Sequence, residues 1–249
     1  MSTYFPLITA HAGCMDMPMN SRESVLAGIE AGADIVEVDV NLTKDDVLVL
    51  FHDYQILGSS NQQIPLSELT FEELQRVAAS PSVASSPFSK QILRLEEALE
   101  IAQHHHVMVN LDLKTPACIS SMAEAVRERQ MEDLVIISGC PKEYAAYVKQ
   151  RCPEFQVLLN ADTAPSASDS RQYEAYITQT CQEAVLASCC GINIDYRDCQ
   201  QALLTRARLC CLPVLIYTVD QIPDMERFIS SGVHSITTNR VQILVSLKH

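Results

Sequence analysis

Short apolar runs alternate with amphipathic stretches along nearly the whole chain, and this beat restricts the fold more than any other feature. Runs that read as strands lie at 5–11, 34–40 and 47–51, then at 107–113, 134–137, 155–159, 191–195, 213–218 and 233–237. Helical stretches fall between them at 21–31, 95–103, 117–128, 142–150, 173–187, 198–208, 222–231 and 239–247. Strands separated by helices pair in parallel through right-handed crossovers. About eight such beats in 249 residues suit an α/β fold of the TIM (β/α)8 barrel class better than an open doubly wound sheet. No repeat, low-complexity tract or linker interrupts the pattern, so residues 1–249 are expected to form a single domain.

Local punctuation agrees with this reading. Gly32 follows the first helical stretch as a C-cap would. Thr70, with Glu73 three residues later, is a capping-box pattern that opens a short helix. Lys44-Asp45-Asp46 reads as a tight turn, 59–66 as a polar turn-like stretch, and 80–90 and 161–170 as loops.

Composition excludes several function classes. The net charge of −13 argues against nucleic acid or an anionic membrane as a general partner, since both require a broad basic surface. A small anionic substrate remains compatible, because a metal makes its own site locally positive. No apolar run reaches the roughly 18 residues of a membrane span, so no stable membrane insertion is expected. The opening Met-Ser-Thr-Tyr-Phe-Pro shows no basic segment followed by an apolar one, so no signal peptide is expected. The ten cysteines include the adjacent pairs Cys189-Cys190 and Cys210-Cys211, which suit a reducing, cytoplasmic setting and lack the spacing of a zinc site. A homo-oligomer is compatible with this composition.

The chemistry begins at Ile35-Val36-Glu37-Val38-Asp39-Val40. Side chains alternate along a strand, so Glu37 and Asp39 project from one face about 7 Å apart while the valines take the other. Adjacent acids repel each other, and strands disfavour both. A cation between them explains their presence; a solvent-facing strand is the alternative. In a barrel of this class the site lies at the C-terminal ends of the strands. Those ends carry His11, Glu37 and Asp39, His52, Asp112 and Lys114, Asn193 and Asp195, and Tyr217 with Asp220. Three carboxylates without cysteine or histidine ligands favour a hard divalent cation, Mg²⁺ or Ca²⁺, over zinc. Two histidines on separate strand ends can serve as base and acid, and a lysine can neutralise an anion. The combination describes displacement at phosphorus.

The stretches Ile8-Thr9-Ala10-His11-Ala12-Gly13, Pro18-Met19-Asn20-Ser21, Gly32 to Val40, Leu42-Thr43-Lys44-Asp45 and Phe51-His52-Asp53 resemble the glycerophosphodiester phosphodiesterase family. That family reads H-R-G, P-E-N-T, G-A-D-x-x-E-x-D-V, L-T-K-D-G and F-H-D at these spacings. Asn110 to Lys114 resembles its E-x-K strand, Tyr217-Thr218-Val219-Asp220 its W-T-V-N segment, and Gly232 to Asn239 its closing G-V-D-G-I-x-T-D. The resemblance implies a TIM barrel that hydrolyses glycerophosphodiesters to glycerol 3-phosphate and an alcohol. It implies Glu37, Asp39 and Asp112 as metal ligands, His11 and His52 as the acid/base pair, Lys114 on the phosphate, and Tyr217 as an aromatic wall beside the substrate.

Two departures stand out. Ala12 replaces the family arginine, and Met19 replaces the glutamate of P-E-N-T. Arginine clamps phosphate oxygens bidentately and alanine cannot. Losing one such transition-state contact costs about 2.7–4 kcal/mol, on the order of 10²–10³ in rate. A divergent, catalytically weak barrel that binds a phosphorylated ligand, or a phosphodiesterase for a different ester, is therefore the alternative reading. His104-His105-His106 at a helix end suits the helix dipole better than a metal. Met15, Met17 and Met19 suit loop packing slightly better than an apolar lip for a substrate tail, and Cys14 falls beside the expected mouth.

Overall fold

In the computed structural model, which describes residues 5–58, 62–80, 91–165 and 170–248, eight parallel strands close into a barrel. In chain order the elements are β1 (Leu7–Ala10), α1 (Arg22–Glu30), β2 (Ile35–Leu42), β3 (Leu48–Leu50), β4 (Gln55–Leu57), β5 (Gln63–Pro65), α2 (Phe71–Ala78) and α3 (Leu95–His105). They continue as β6 (Met108–Leu113), α4 (Cys118–Glu128), β7 (Val135–Ser138), α5 (Lys142–Arg151), β8 (Gln156–Asn160) and α6 (Ser170–Leu186). The chain then forms β9 (Gly191–Asp195), α7 (Gln201–Leu209), β10 (Val214–Tyr217), α8 (Ile222–Ser231), β11 (Ser235–Thr238) and α9 (Val241–Ser246). The barrel runs β1-β11-β10-β9-β8-β7-β6-β2, and β1 closes it on β2 through Thr9↔Ile35 and Ala10↔Val36. The expected (β/α)8 architecture holds. Among the described residues no helix is long and apolar enough to cross a membrane.

Alternation along β2 divides the molecule into inside and outside. Val36, Val38 and Val40 join the main core between strands and helices. Ile35 points into the barrel and packs in a separate cluster with Ile136, Leu158 and Leu215. This apolar plug closes the floor. One pleat further along, the inward positions turn polar, as the cross-strand pairs Glu37↔Asn110, Asp39↔Asp112 and Asp112↔Ser138 record. The alternative of a solvent-facing strand is excluded, since Glu37 and Asp39 are both buried.

The largest departure from a plain barrel lies between β2 and β6. Thr43 and Asp46 close the expected turn through Asp46 N–H to Thr43 O, and β3 returns antiparallel along β2 through Val40↔Leu50 and Leu42↔Leu48. Residues 63–65, expected to be part of a polar turn, instead form β5 and pair with β4. Ile56 and Ile64 face each other across that hairpin and pack into a satellite core with Val49, Phe51, Leu66, Leu74, Ala78 and Ile92. The flanking Gln63 and Pro65 mask this single inward residue in the sequence. Residues 59–61, 81–90 and 166–169, on which parts of the loop expectations fall, lie outside the described residues.

Capping follows the sequence closely. Ser21 accepts from Ser24 N–H at the start of α1, Thr70 and Glu73 form a reciprocal capping box on α2, and Gly32 takes the left-handed conformation at φ +93° after α1. Gly28, inside α1, marks where that helix crosses β1 most closely. A Cβ there would sit 2.6 Å from Ala10 Cβ and 3.2 Å from Cys14 Sγ. Alanine would gain about 1 kcal/mol in helix propensity, against an overpacking cost of about 1–3 kcal/mol. Gly28→Ala is therefore expected to lower stability in urea unfolding. An increase would show that α1 moves away from β1 freely.

Candidate active site

The C-terminal ends of the strands surround a cavity of about 360 Å³. His11, Glu37, Asp39, His52, Asp112, Lys114 and Tyr217, the seven residues singled out from sequence, all line it. Asn193 joins them, whereas Asp195 is held by Arg197 and Asp220 lies behind the wall. Ala12, Cys14, Met15, Met17 and Met19 do not line it. Cys14 is buried against Ser24, and burial raises its thiol pKa. All ten cysteines are free thiols.

The carboxylates of Glu37, Asp39 and Asp112 bring ligand atoms within 4.8 Å of one another. Strand pairing explains this, because Asp39 and Asp112 are register partners on β2 and β6 with Glu37 one pleat below. Lys114, two residues beyond Asp112, reaches Asp39 Oδ1 at 2.7 Å and Asp112 Oδ2 at 3.2 Å. Ala12 N–H donates to Glu37 Oε2 at 2.9 Å, so position 12 serves the site through its backbone. Asn20 grips Asp39 twice, with Nδ2 donating to Oδ2 at 2.7 Å and Oδ1 accepting from Asp39 N–H at 3.0 Å. Its backbone is left-handed at φ 56°, a conformation asparagine tolerates better than most residues.

Burial, reinforced by Asp39 and Asp112, pushes the Glu37 carboxyl well above its ordinary value of 4.5, while Lys114 and the Ala12 N–H pull it back only in part. Burial also raises Asp112, with Asp39 adding to the effect and Lys114 opposing it. Burial works against the Lys114 ammonium, but Asp112 and Asp39 outweigh it and raise its pKa. Three carboxylates against one lysine leave two uncompensated charges when all are ionised, which is what one divalent cation supplies. An all-oxygen donor set suits Mg²⁺ or Ca²⁺. The residues therefore fit a hard divalent ion held by Glu37, Asp39 and Asp112.

The histidines sit at the rim. His11 Nδ1 meets Asn239 Oδ1 at 2.9 Å, and His52 Nδ1 meets Asp53 Oδ1 at 2.8 Å. Burial and the Asp112 carboxylate raise the Tyr217 phenol. Beside the carboxylates, on neighbouring strands, Asn110 Oδ1 and Ser138 Oγ are buried with no hydrogen-bond partner while lining the cavity. Among the described residues lining the cavity, Lys114 is the one lysine or arginine.

Gly139, Asn20 and Asn239 also touch residues of the site, although the motifs assign them no role. A Cβ on Gly139 would fall 2.1 Å from Asp112 Oδ1, and the residue sits at φ +73°. Only glycine leaves Asp112 its place. Asn20 stood inside the P-x-N-S motif, and Asn239 closed the last one, so the signal was present but carried no role.

A pH dependence follows from Glu37. An acid whose folded pKa is raised destabilises the folded state above that pKa, and the penalty fades as pH falls toward the unfolded value. Glu37→Gln is thus expected to raise the thermal stability of the chelator-treated protein at pH 8, with little effect near pH 5. Equal effects at both pH values would contradict the raised carboxyl.

Comparisons with known proteins add a second line of observation. The model of the Glycerophosphoryl diester phosphodiesterase family matches residues 11–243. A protein of Caldanaerobacter subterraneus subsp. tengcongensis named glycerophosphodiester phosphodiesterase is 26% identical over 97% of each chain. One of the same name from Bacillus altitudinis is 33% identical over 61% of this chain and 65% of its own. Among solved structures, a putative glycerophosphoryl diester phosphodiesterase of Silicibacter pomeroyi superposes with a TM-score of 0.81 at 19% identity, covering 98% of this chain and 94% of that one. An Oleispira antarctica phosphodiesterase in complex with the product sn-glycerol-3-phosphate superposes with a TM-score of 0.78 at 22% identity, covering 97% and 96%.

Proposed function

The chain belongs to the glycerophosphoryl diester phosphodiesterase family, and on that premise we propose that it hydrolyses glycerophosphodiesters to glycerol 3-phosphate and an alcohol with a divalent cation. The observation that carries this reading is the meeting of Glu37, Asp39 and Asp112 with His11, His52 and Lys114 around one cavity. Glu37, Asp39 and Asp112 would hold Mg²⁺ or Ca²⁺, and the ion would supply positive charge against the negative charge of the phosphoryl group.

The chain's own groups do the rest. Asn20 and the Ala12 N–H keep two of the carboxylates aimed at the mouth. Lys114, itself largely buried, adds fixed positive charge beside the developing negative charge. The two imidazoles take one proton from the attacking water and return one to the leaving alkoxide. Tyr217 and Tyr54 give the cavity aromatic walls, and the unpartnered Asn110 Oδ1 and Ser138 Oγ leave hydrogen-bonding capacity beside the carboxylates.

A second reading, weak turnover, is favoured by one observation. No arginine lines the cavity among the described residues, and position 12 contributes only its amide. We infer an active enzyme with a reduced rate, because the metal-binding set and both histidines are intact. The purified protein with Mg²⁺ or Ca²⁺ is expected to release glycerol 3-phosphate from glycerophosphocholine or glycerophosphoethanolamine. Chelator should abolish turnover, and His52→Ala should lower kcat by about 10²–10⁴. Absence of turnover on either ester, or turnover indifferent to both treatments, would overturn the proposal.

A further inference from the structure

An ionised carboxylate only accepts hydrogen bonds, and that sets the direction of a chain of contacts ending on His11. Asp220, just beyond β10, receives Thr238 Oγ1 at 3.0 Å, Asn239 N–H at 2.8 Å and Asn239 Nδ2 at 2.8 Å. The Asn239 amide therefore presents Nδ2 to Asp220 and Oδ1 to His11 Nδ1, 2.9 Å away. An amide oxygen accepts, so Nδ1 carries the proton and the lone pair of the neutral ring falls on Nε2. Backbone contacts fix both residues in register. His11 N–H donates to Thr238 O at 3.1 Å, and Met15 N–H to Asn239 O at 2.8 Å.

The same two positions stand out against the family pattern. W-T-V-N places asparagine where this chain has Asp220, and T-D places aspartate where it has Asn239. Both residue types are present with their places exchanged. The amide–carboxylate contact survives the exchange, but an uncharged oxygen now faces His11. His52 is different, since the Asp53 carboxylate itself faces its Nδ1 at 2.8 Å.

We propose that Asp220 and Asn239 are positioning residues that hold His11 as the Nδ1–H tautomer, which turns its Nε2 lone pair toward the reacting group. This rests on the phosphodiesterase reading above. His11 Nε2 takes a proton of the attacking water as the water oxygen bonds to phosphorus. The phosphorus–oxygen bond to the leaving alcohol breaks, and the His52 imidazolium gives its Nε2 proton to that oxygen. Solvent then restores both rings. A tautomer held the other way would point N–H at the nucleophile and block its deprotonation.

The test is a swap cycle on the full chain, with glycerophosphocholine and Mg²⁺. Asp220→Asn sets amide against amide, and Asn239→Asp sets carboxylate against carboxylate. Each single variant is expected to lower kcat about 10- to 100-fold with KM nearly unchanged. The double variant Asp220→Asn/Asn239→Asp should recover most of that loss. Two-bond ¹⁵N–¹H spectra of the neutral imidazoles, with the His11 signal identified by its absence in His11→Ala, should show Nδ1–H in the unsubstituted protein. An Nε2–H tautomer there overturns the proposal whether or not the variants fold. Single variants at full kcat, with His11→Ala inactive, would also overturn it and leave the phosphodiesterase reading standing. Turnover that survives His11→Ala would sink the acceptor role together with the acid/base reading beneath it.

Discussion

Mutual repulsion among three buried carboxylates governs the barrel mouth, and the surrounding contacts act against it. Glu37, Asp39 and Asp112 approach within 4.8 Å because parallel pairing of β2 and β6 leaves them nowhere else to point. Burial strengthens their repulsion, since fewer water dipoles screen it. Lys114 bridges two of them, Asn20 binds one, and the Ala12 amide binds the third. Removing one partner of a buried ion pair typically costs about 3–5 kcal/mol because it strands the other. A scaffold with no use for a cation has little reason to accept such an arrangement.

Geometry below and beside the cluster serves the same end. The Ile35, Ile136, Leu158 and Leu215 plug keeps the barrel interior dry beneath the polar layer, which holds the carboxylates at the mouth. Gly139 yields the volume that Asp112 Oδ1 occupies. The β2–β3 hairpin, an excursion from the plain barrel, delivers His52 to the rim opposite residues of the parallel strands. Its satellite core around Phe51 and Leu66 anchors that excursion independently of the barrel.

Much of this was legible in the sequence. The alternation of strands and helices gave the barrel, and Glu37 and Asp39 on one face of β2 gave the metal candidates before any contact was known. The strand ends named His11, Glu37, Asp39, His52, Asp112, Lys114, Asn193 and Tyr217, all of which line the cavity, together with Asp195 and Asp220, which do not. Less legible were residues whose roles arise only on folding. Asn20 meets Asp39 across 19 positions and Asn239 meets His11 across 228, so no local pattern ties either pair together. The β4–β5 hairpin was hidden because each strand is three residues long with one inward side chain. Ala12 lacks the family's arginine side chain, but its backbone amide still binds Glu37, a contact no motif encodes.

Everything at the mouth turns on whether the acidic cluster holds one divalent cation. Calorimetric titration of the chelator-treated protein with Mg²⁺ or Ca²⁺, in two buffers of different ionisation enthalpy near neutral pH, tests it most directly. One saturable site per chain, release of protons from the raised carboxyls on binding, and loss of that site in Asp39→Asn are the expected results. Absence of saturable binding, or a site unchanged in Asp39→Asn, would contradict it.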